Sequence, residues 1–306
     1  MIIDIFLPLS LVFIMFTLGI GLTYSDFTNV FRQPKAFTIG LFNQIILLPL
    51  IAFCIALIFG LNQEMAVGFM ILASCPGGVT SNIITKLANG DTALSISFTA
   101  VISVLTVITL PLITAFSVNY FMGADPPEIS ILSIGLTMYF ITAVPVGIGL
   151  YVRSNYTQFS NSFEPKAVKI STILFIIIVF GALGSEWNLF ITNIFKLGPA
   201  ITLLIISMLV IGYNSSKLFK LSRDQSITIS IESGIQNATV GITIGNLVLN
   251  SKTGISLLSL PSGLYGILMY IFCLPFVVWL IKYKTNNRNN YADFYCGFIN
   301  FLGTER

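Results

Sequence analysis

The sequence predicts an all-α integral membrane protein of nine transmembrane helices, two of them broken by polar residues at mid-membrane. Three observations lead there. Of 306 residues, 55% are hydrophobic and 9% charged, where soluble domains carry about 25% charged residues, and mean hydropathy is +0.92. Charge-free stretches such as Ile5 to Ser25, Ala36 to Gln63 and Thr92 to Ala124 each exceed the roughly 18 apolar residues that cross a bilayer. The basic residues, laid on a nine-span topology, fall almost entirely on one side.

That composition excludes a water-soluble enzyme and a disordered scaffold. A net charge of +3 spread along the chain gives no basic patch and hence no nucleic-acid partner. There is no histidine, which removes intramembrane zinc proteases, haem carriers and Ser/His hydrolases. Cys54, Cys75, Cys273 and Cys296 have no metal or disulfide spacing. No cofactor is expected.

The first span, Ile3 to Thr23, has Asp4 where a secretory signal is basic and is expected to be a retained helix. The second, Pro34 to Phe59, is interrupted by Gln44. The third runs Glu64 to Ala88 and the fourth Thr92 to Asn119, with Ser95 and Thr99 on one face at i and i+4. The fifth, sixth and seventh are apolar: Ile129 to Tyr151, Ala167 to Leu183 and Leu197 to Leu218. The eighth runs Asp224 to Val248 and the ninth Gly254 to Leu280. Residues 1–283 form one transmembrane unit with no obligate protein partner evident, and the polar residues 284–306 form a cytoplasmic tail to which no function is assigned.

Thirteen basic residues, from Arg32 and Lys35 to Lys282 and Arg306, then face one side, with Lys196 and Lys252 on the other. Cytoplasmic loops hold the Lys/Arg excess. The N-terminus is therefore expected outside and the C-terminus inside, in a bacterial inner membrane.

The third span contains SCPGGVTSNIITKLANGD from Ser74 to Asp91. Pro76 removes a backbone donor and Gly77 and Gly78 tolerate unwound geometry, so the helix should break there. Such backbone at membrane depth has to be buried in protein or line a watery cavity. Thr80, Ser81 and Asn82 suit the start of a second half-helix. The eighth span holds Glu232, Ser233, Gly234, Gln236 and Asn237 within six residues. A carboxylate at the bilayer centre costs at least about 2.5 kcal/mol, which points to function. A protonated structural glutamate, or an amide cluster joining helices, is the alternative.

Two polar-interrupted spans in opposite directions are the sign of an inverted-repeat transporter. Half-helix N-termini near Thr80 and near Asn237 would present positive dipole ends that favour an anion. The opposing ends near Cys75 and Ser233 would offer carbonyls to a cation. Ser95, Thr99 and Gln44 add neutral oxygens, and neutral oxygens around one carboxylate suit a hard monovalent cation, sodium before calcium. Ser95 and Thr99 also fit simple close packing of helices.

CPGGVTSN at Cys75 to Asn82, Asn89-Gly90-Asp91, the Ser95/Thr99 face and ESGIQNA at Glu232 to Ala238, with FTLGIGLTYSDF and Pro34-Lys35 upstream, resemble the bile acid:sodium symporter family. The resemblance implies a panel domain and a core domain whose two broken helices cross. It implies a nine-helix form lacking the first helix of ten-helix bacterial members. Panel helices are expected at about 3–59 and 167–218, core helices at about 64–151 and 224–280. One sodium site would use Ser81, Asn82, Ser95, Thr99 and Glu232; a second would use Gln44, Glu232 and Gln236 with main-chain carbonyls at Ser233 and Ile235. The anion would lie near Thr80, Ser81, Asn237 and Ala238. Pro76, Gly77, Gly78 and Gly234 would break the helices. Val79 departs from the Thr of many members, and Ile267 to Tyr270 lacks the His-Asn pair of some bacterial ones.

The expected function is sodium-coupled symport of an organic anion by alternating access, with sodium, a small organic anion and membrane lipid as partners. Export of arsenite or another oxyanion, and proton coupling through Glu232, are the alternatives within transport. A passive channel is a further class. An aspartyl intramembrane protease needs two membrane carboxylates, and the sequence offers one.

Overall fold

The computed structural model describes residues 2–123, 130–185, 187–249 and 256–282, and all regular structure among them is helical. Helices occupy every expected span: α1 (Ile2–Ile20), α2 (Pro34–Ile58), α3a (Gln63–Ala73) and α3b (Val79–Leu87), α4 (Thr92–Met122), α5 (Ile131–Asn155), α6 (Thr157–Ser185), α7 (Trp187–Leu218), α8a (Arg223–Gly234) and α8b (Ala238–Val248), and α9 (Leu260–Lys282). Five stretches, Pro34–Ile58, Thr92–Met122, Ile131–Asn155, Phe190–Leu218 and Leu260–Leu280, are long and apolar enough to cross a membrane. The expected tail with Cys296, and the loop residues Asp125, Glu128 and Lys252, lie outside the described residues.

Local chemistry sets the helix ends. Asn62, Asp91 and Ser130 each accept a hydrogen bond from the backbone three residues on, and Ser222 forms a capping box with Gln225. Two helices begin earlier than hydropathy suggests: α6 at Thr157 rather than Ala167, and α7 at Trp187 rather than Leu197. Hydropathy marks the part in lipid, whereas backbone hydrogen bonding continues through flanking residues such as Glu164, Lys166 and Lys169. Near the start of α6, Arg153 pairs with Glu164 at 3.1 Å.

Two π-helical turns interrupt long helices, Asn43–Leu47 in α2 and Tyr139–Ala143 in α5. Each is followed two residues later by proline, Pro49 and Pro145. Proline has no N–H and its ring presses on the carbonyl four residues back, which the wider turn accommodates.

The described helices do not pack in their order along the chain. The helix α1 packs along α5 and α6, where a Cβ at Gly19 would strike the Val146 backbone and one at Gly149 would strike the backbone of Phe16 and Ile20. By contrast α2 and α7 pack on the broken helices, with α4 and α9 completing that group. Order along the chain does not determine these neighbours; backbone approach at the glycines and hydrogen bonds from α2 to the breaks do. Every residue of α8a and α8b from Ser226 to Gly245 is buried, so the stretch across the break has no exposed face. That is why these helices tolerate so polar a sequence.

Candidate functional site

The two breaks meet. The Asn237 backbone N–H donates to the Pro76 carbonyl at 2.8 Å, joining the α8 break to the α3 break. Asn237 is the N-cap of α8b, its side chain accepting from Val240 N at 3.2 Å. The α3b start differs from expectation: its N-cap is Gly78, in extended backbone, and Thr80, Ser81 and Asn82 lie within the helix. The helix resumes as soon as the Pro-Gly-Gly run ends. Ser81 instead donates from Oγ to the Gly78 carbonyl at 2.7 Å. Gly234 is the last residue of α8a, so the break proper is Ile235 to Asn237.

On one side of the crossing lies Glu232, 1% exposed. Ser95 Oγ approaches its Oε1 at 2.5 Å and Thr99 Oγ1 its Oε2 at 3.2 Å. The same hydroxyls lie 2.7 and 3.3 Å from Asn82 Oδ1. Two hydroxyl hydrogens thus face four acceptor contacts, an arrangement a cation would complete. The backbone of Gly77 lies close against this cluster: a Cβ there would stand 2.8 Å from Glu232 Oε2 and 3.4 Å from Ser81 Oγ. Among the described residues the ion pair is Arg153–Glu164, and no Lys or Arg pairs with Glu232.

On the other side Gln44, in the π-turn of α2, donates from Nε2 to Gln236 Oε1 at 2.6 Å and to the Cys75 carbonyl at 3.0 Å. Gln236 Nε2 in turn reaches Gln44 Oε1 at 3.3 Å and the Ser233 carbonyl at 3.1 Å. One amide pair therefore holds the free carbonyl ends of both interrupted helices. Ile235 sits beside it, 0% exposed and extended. The carboxylate of Glu232 hydrogen-bonds on the Ser95 and Thr99 side, and no hydrogen bond links it to Gln44 or Gln236.

A small cavity of about 40 Å³ lies at the half-helix N-termini, and its lining includes Thr80, Asn237 and Ala238, three of the residues named in the sequence for an anion. Ser81, expected there too, is not part of its lining. Its opposite wall, Ser171, Thr172 and Phe175 of α6, was not anticipated. Hydroxyls in an apolar helix commonly bond back to their own backbone, as Thr172 does to Val168, so sequence gives them no distinct signal. An apolar cavity of about 340 Å³ adjoins it, sharing Thr80, Thr172 and Phe175. A third, of about 260 Å³, brings Asn82 to a vestibule with Lys86 and Glu164.

Residues 8–193 match the sodium bile acid symporter family. The chain is 30% identical over 288 residues to the human sodium-dependent organic anion transporter, covering 91% of this chain and 73% of that protein. It is 27% identical over 264 residues to an uncharacterized sodium-dependent transporter of Bacillus subtilis, covering 86% and 78%. It is 30% identical over 232 residues to a probable sodium/metabolite cotransporter, BASS1, of Arabidopsis thaliana, covering 75% of this chain and 56% of that protein. The chain thus spans about half the length of the plant relatives it matches. These relatives are named as transporters rather than enzymes, and the match extends over more than half of this all-helical membrane protein. The chain belongs to the sodium bile acid symporter family.

Proposed function

We propose that this protein is a sodium-coupled secondary active symporter that imports an organic anion. The observation that carries this reading is Glu232: a buried carboxylate with no cationic side chain on it, faced by hydroxyl and amide oxygens and closely approached by the backbone of Gly77. One sodium would be held by Glu232, Ser95, Thr99, Asn82 and Ser81, and a second by Gln44, Gln236, Glu232 and the carbonyls of Ser233 and Ile235. The anion would occupy the cavity at Thr80, Asn237 and Ala238, where half-helix N-termini supply positive potential without an arginine.

Coupling follows from the crossing. Cations binding beneath it would fix the ends of α3a and α8a, and the Asn237 to Pro76 hydrogen bond would carry that order to the N-termini facing the anion. Alternating access would move α1, α5 and α6, as the panel, against the remaining helices, as the core. All nine units would cross the membrane, with the Arg32, Lys35 and Lys86 ends in the cytoplasm. The test is uptake of a panel of labelled organic anions into proteoliposomes with and without an inward sodium gradient. Accumulation of at least one anion that requires sodium is expected; full uptake driven by protons or potassium in sodium-free buffer would sink the reading.

A further inference from the structure

At Ile235 the backbone of the α8 break is extended, with φ −117° and ψ 118°, and along extended chain successive carbonyls point to opposite sides. On one side the Gly234 carbonyl accepts from the Tyr265 hydroxyl of α9 at 2.8 Å. Tyr265 is 0% exposed and the largest fully buried side chain among the described residues. The residue after Ile235, Gln236, pairs with Gln44 and donates to the Ser233 carbonyl. Among the described residues no donor reaches the Ile235 carbonyl.

We propose that Tyr265 is a positioning residue for the second cation site: its hydroxyl holds the Gly234 carbonyl toward α9, so that the alternating backbone presents the Ile235 carbonyl to the Gln44–Gln236 pair. This rests on the sodium-symport reading. A buried tyrosine hydroxyl needs some acceptor in any protein; here the acceptor is the last carbonyl of the interrupted helix, next to the expected ligand. Gly234 has no side chain to restrict rotation of its peptide planes. The Ile235 N–H of the same peptide donates to the Ile231 carbonyl at 3.0 Å, and the hydroxyl adds a second hydrogen bond on the carbonyl side. A peptide turned the wrong way would present its N–H, or the wrong carbonyl, to a cation.

The test uses sodium alone, titrated against the melting temperature of the full-length purified chain, for the parent, Tyr265→Phe, Gln236→Ala and the double variant. Phenylalanine keeps the ring and removes only the donor. Tyr265→Phe should raise the half-saturating sodium concentration about tenfold, the worth of one hydrogen bond to the geometry of the site. It should also change the lithium-to-sodium preference, which a general loss of stability would not move. In the Gln236→Ala background it should add nothing. An unchanged sodium titration with unchanged ion preference, or strictly additive losses in the double variant, overturns the assignment of Tyr265 alone. A parent with no sodium response overturns the symport reading, and this one with it. Should Tyr265→Phe fail to accumulate in the membrane, 3,5-difluorotyrosine at position 265 preserves shape and changes donor strength; a sodium titration that does not shift then overturns the proposal.

Discussion

At Glu232 the chemistry of one side chain decides between a cation ligand and a packing group. Glu232→Gln keeps size and one of the two acceptor oxygens but removes the negative charge of the cluster formed with Ser95, Thr99 and Asn82. The sodium-free variant should be at least as stable as the parent, because burying an unpaired carboxylate costs desolvation energy. Sodium at 100 times its Kd should stabilise the parent by about 2.7 kcal/mol and the variant not at all; an equal rise in Tm for both would return Glu232 to a structural role. Gly77→Ala tests the space rather than the charge. Its Cβ would sit 2.8 Å from Glu232 Oε2, so the half-saturating sodium concentration should rise about tenfold or more, and an unaltered titration would mean that no ion lies there. Asn237 both caps α8b and borders the cavity proposed for the anion. Asn237→Asp retains an N-cap acceptor while adding a negative charge, so it should keep the sodium-dependent Tm shift and lose anion binding. Loss of both would make Asn237 a folding residue only.

At the scale of elements, the π-turn of α2 connects a proline to Gln44, a proposed cation ligand. Gln44 lies within Asn43–Leu47, and Pro49 follows. If Pro49→Ala lets the turn relax to α-helical winding, residues on one side shift by one position, a rotation of about 100°. Gln44 then loses Gln236 and the Cys75 carbonyl, and the Hill coefficient for sodium should fall toward one; an unchanged coefficient would separate the π-turn from the site. Sequence disclosed the breaks because Pro76-Gly77-Gly78 and the run from Glu232 to Asn237 violate helical and membrane chemistry where no packing argument excuses them. It did not disclose the π-turn, since Pro49 reads equally as a kink. It misplaced the α3b cap because Thr80, Ser81 and Asn82 are capping types on the page, while the extended Gly78 takes that role with no side chain at all. Helix grouping was likewise hidden: Gly19 and Gly149 bring α1 against α5 only once they face each other across 127 or more residues of chain.

For the whole molecule the two clusters make a statement about net charge. Glu232 is a buried carboxylate of the first cluster, and the cavity proposed for the anion has no basic side chain in its lining. Two sodium ions entering with one monoanion would carry one net positive charge per cycle, so an inside-negative potential should add to the sodium gradient. Each elementary charge moved through 100 mV is worth about 2.3 kcal/mol, which corresponds to roughly a fiftyfold gain in the accumulation ratio at equilibrium. The measurement is steady-state accumulation in proteoliposomes at one fixed sodium gradient, with the potential set by potassium and valinomycin. Gln236→Ala should weaken the second cation cluster by removing the amide that joins Gln44 and Ser233, while the Ser95, Thr99 and Glu232 contacts lie on the other side of the crossing. If that variant still transports with a single sodium, the cycle becomes electroneutral and its accumulation should cease to follow potential. With a monoanionic substrate, a parent whose accumulation ignores potential would exclude the two-cation stoichiometry.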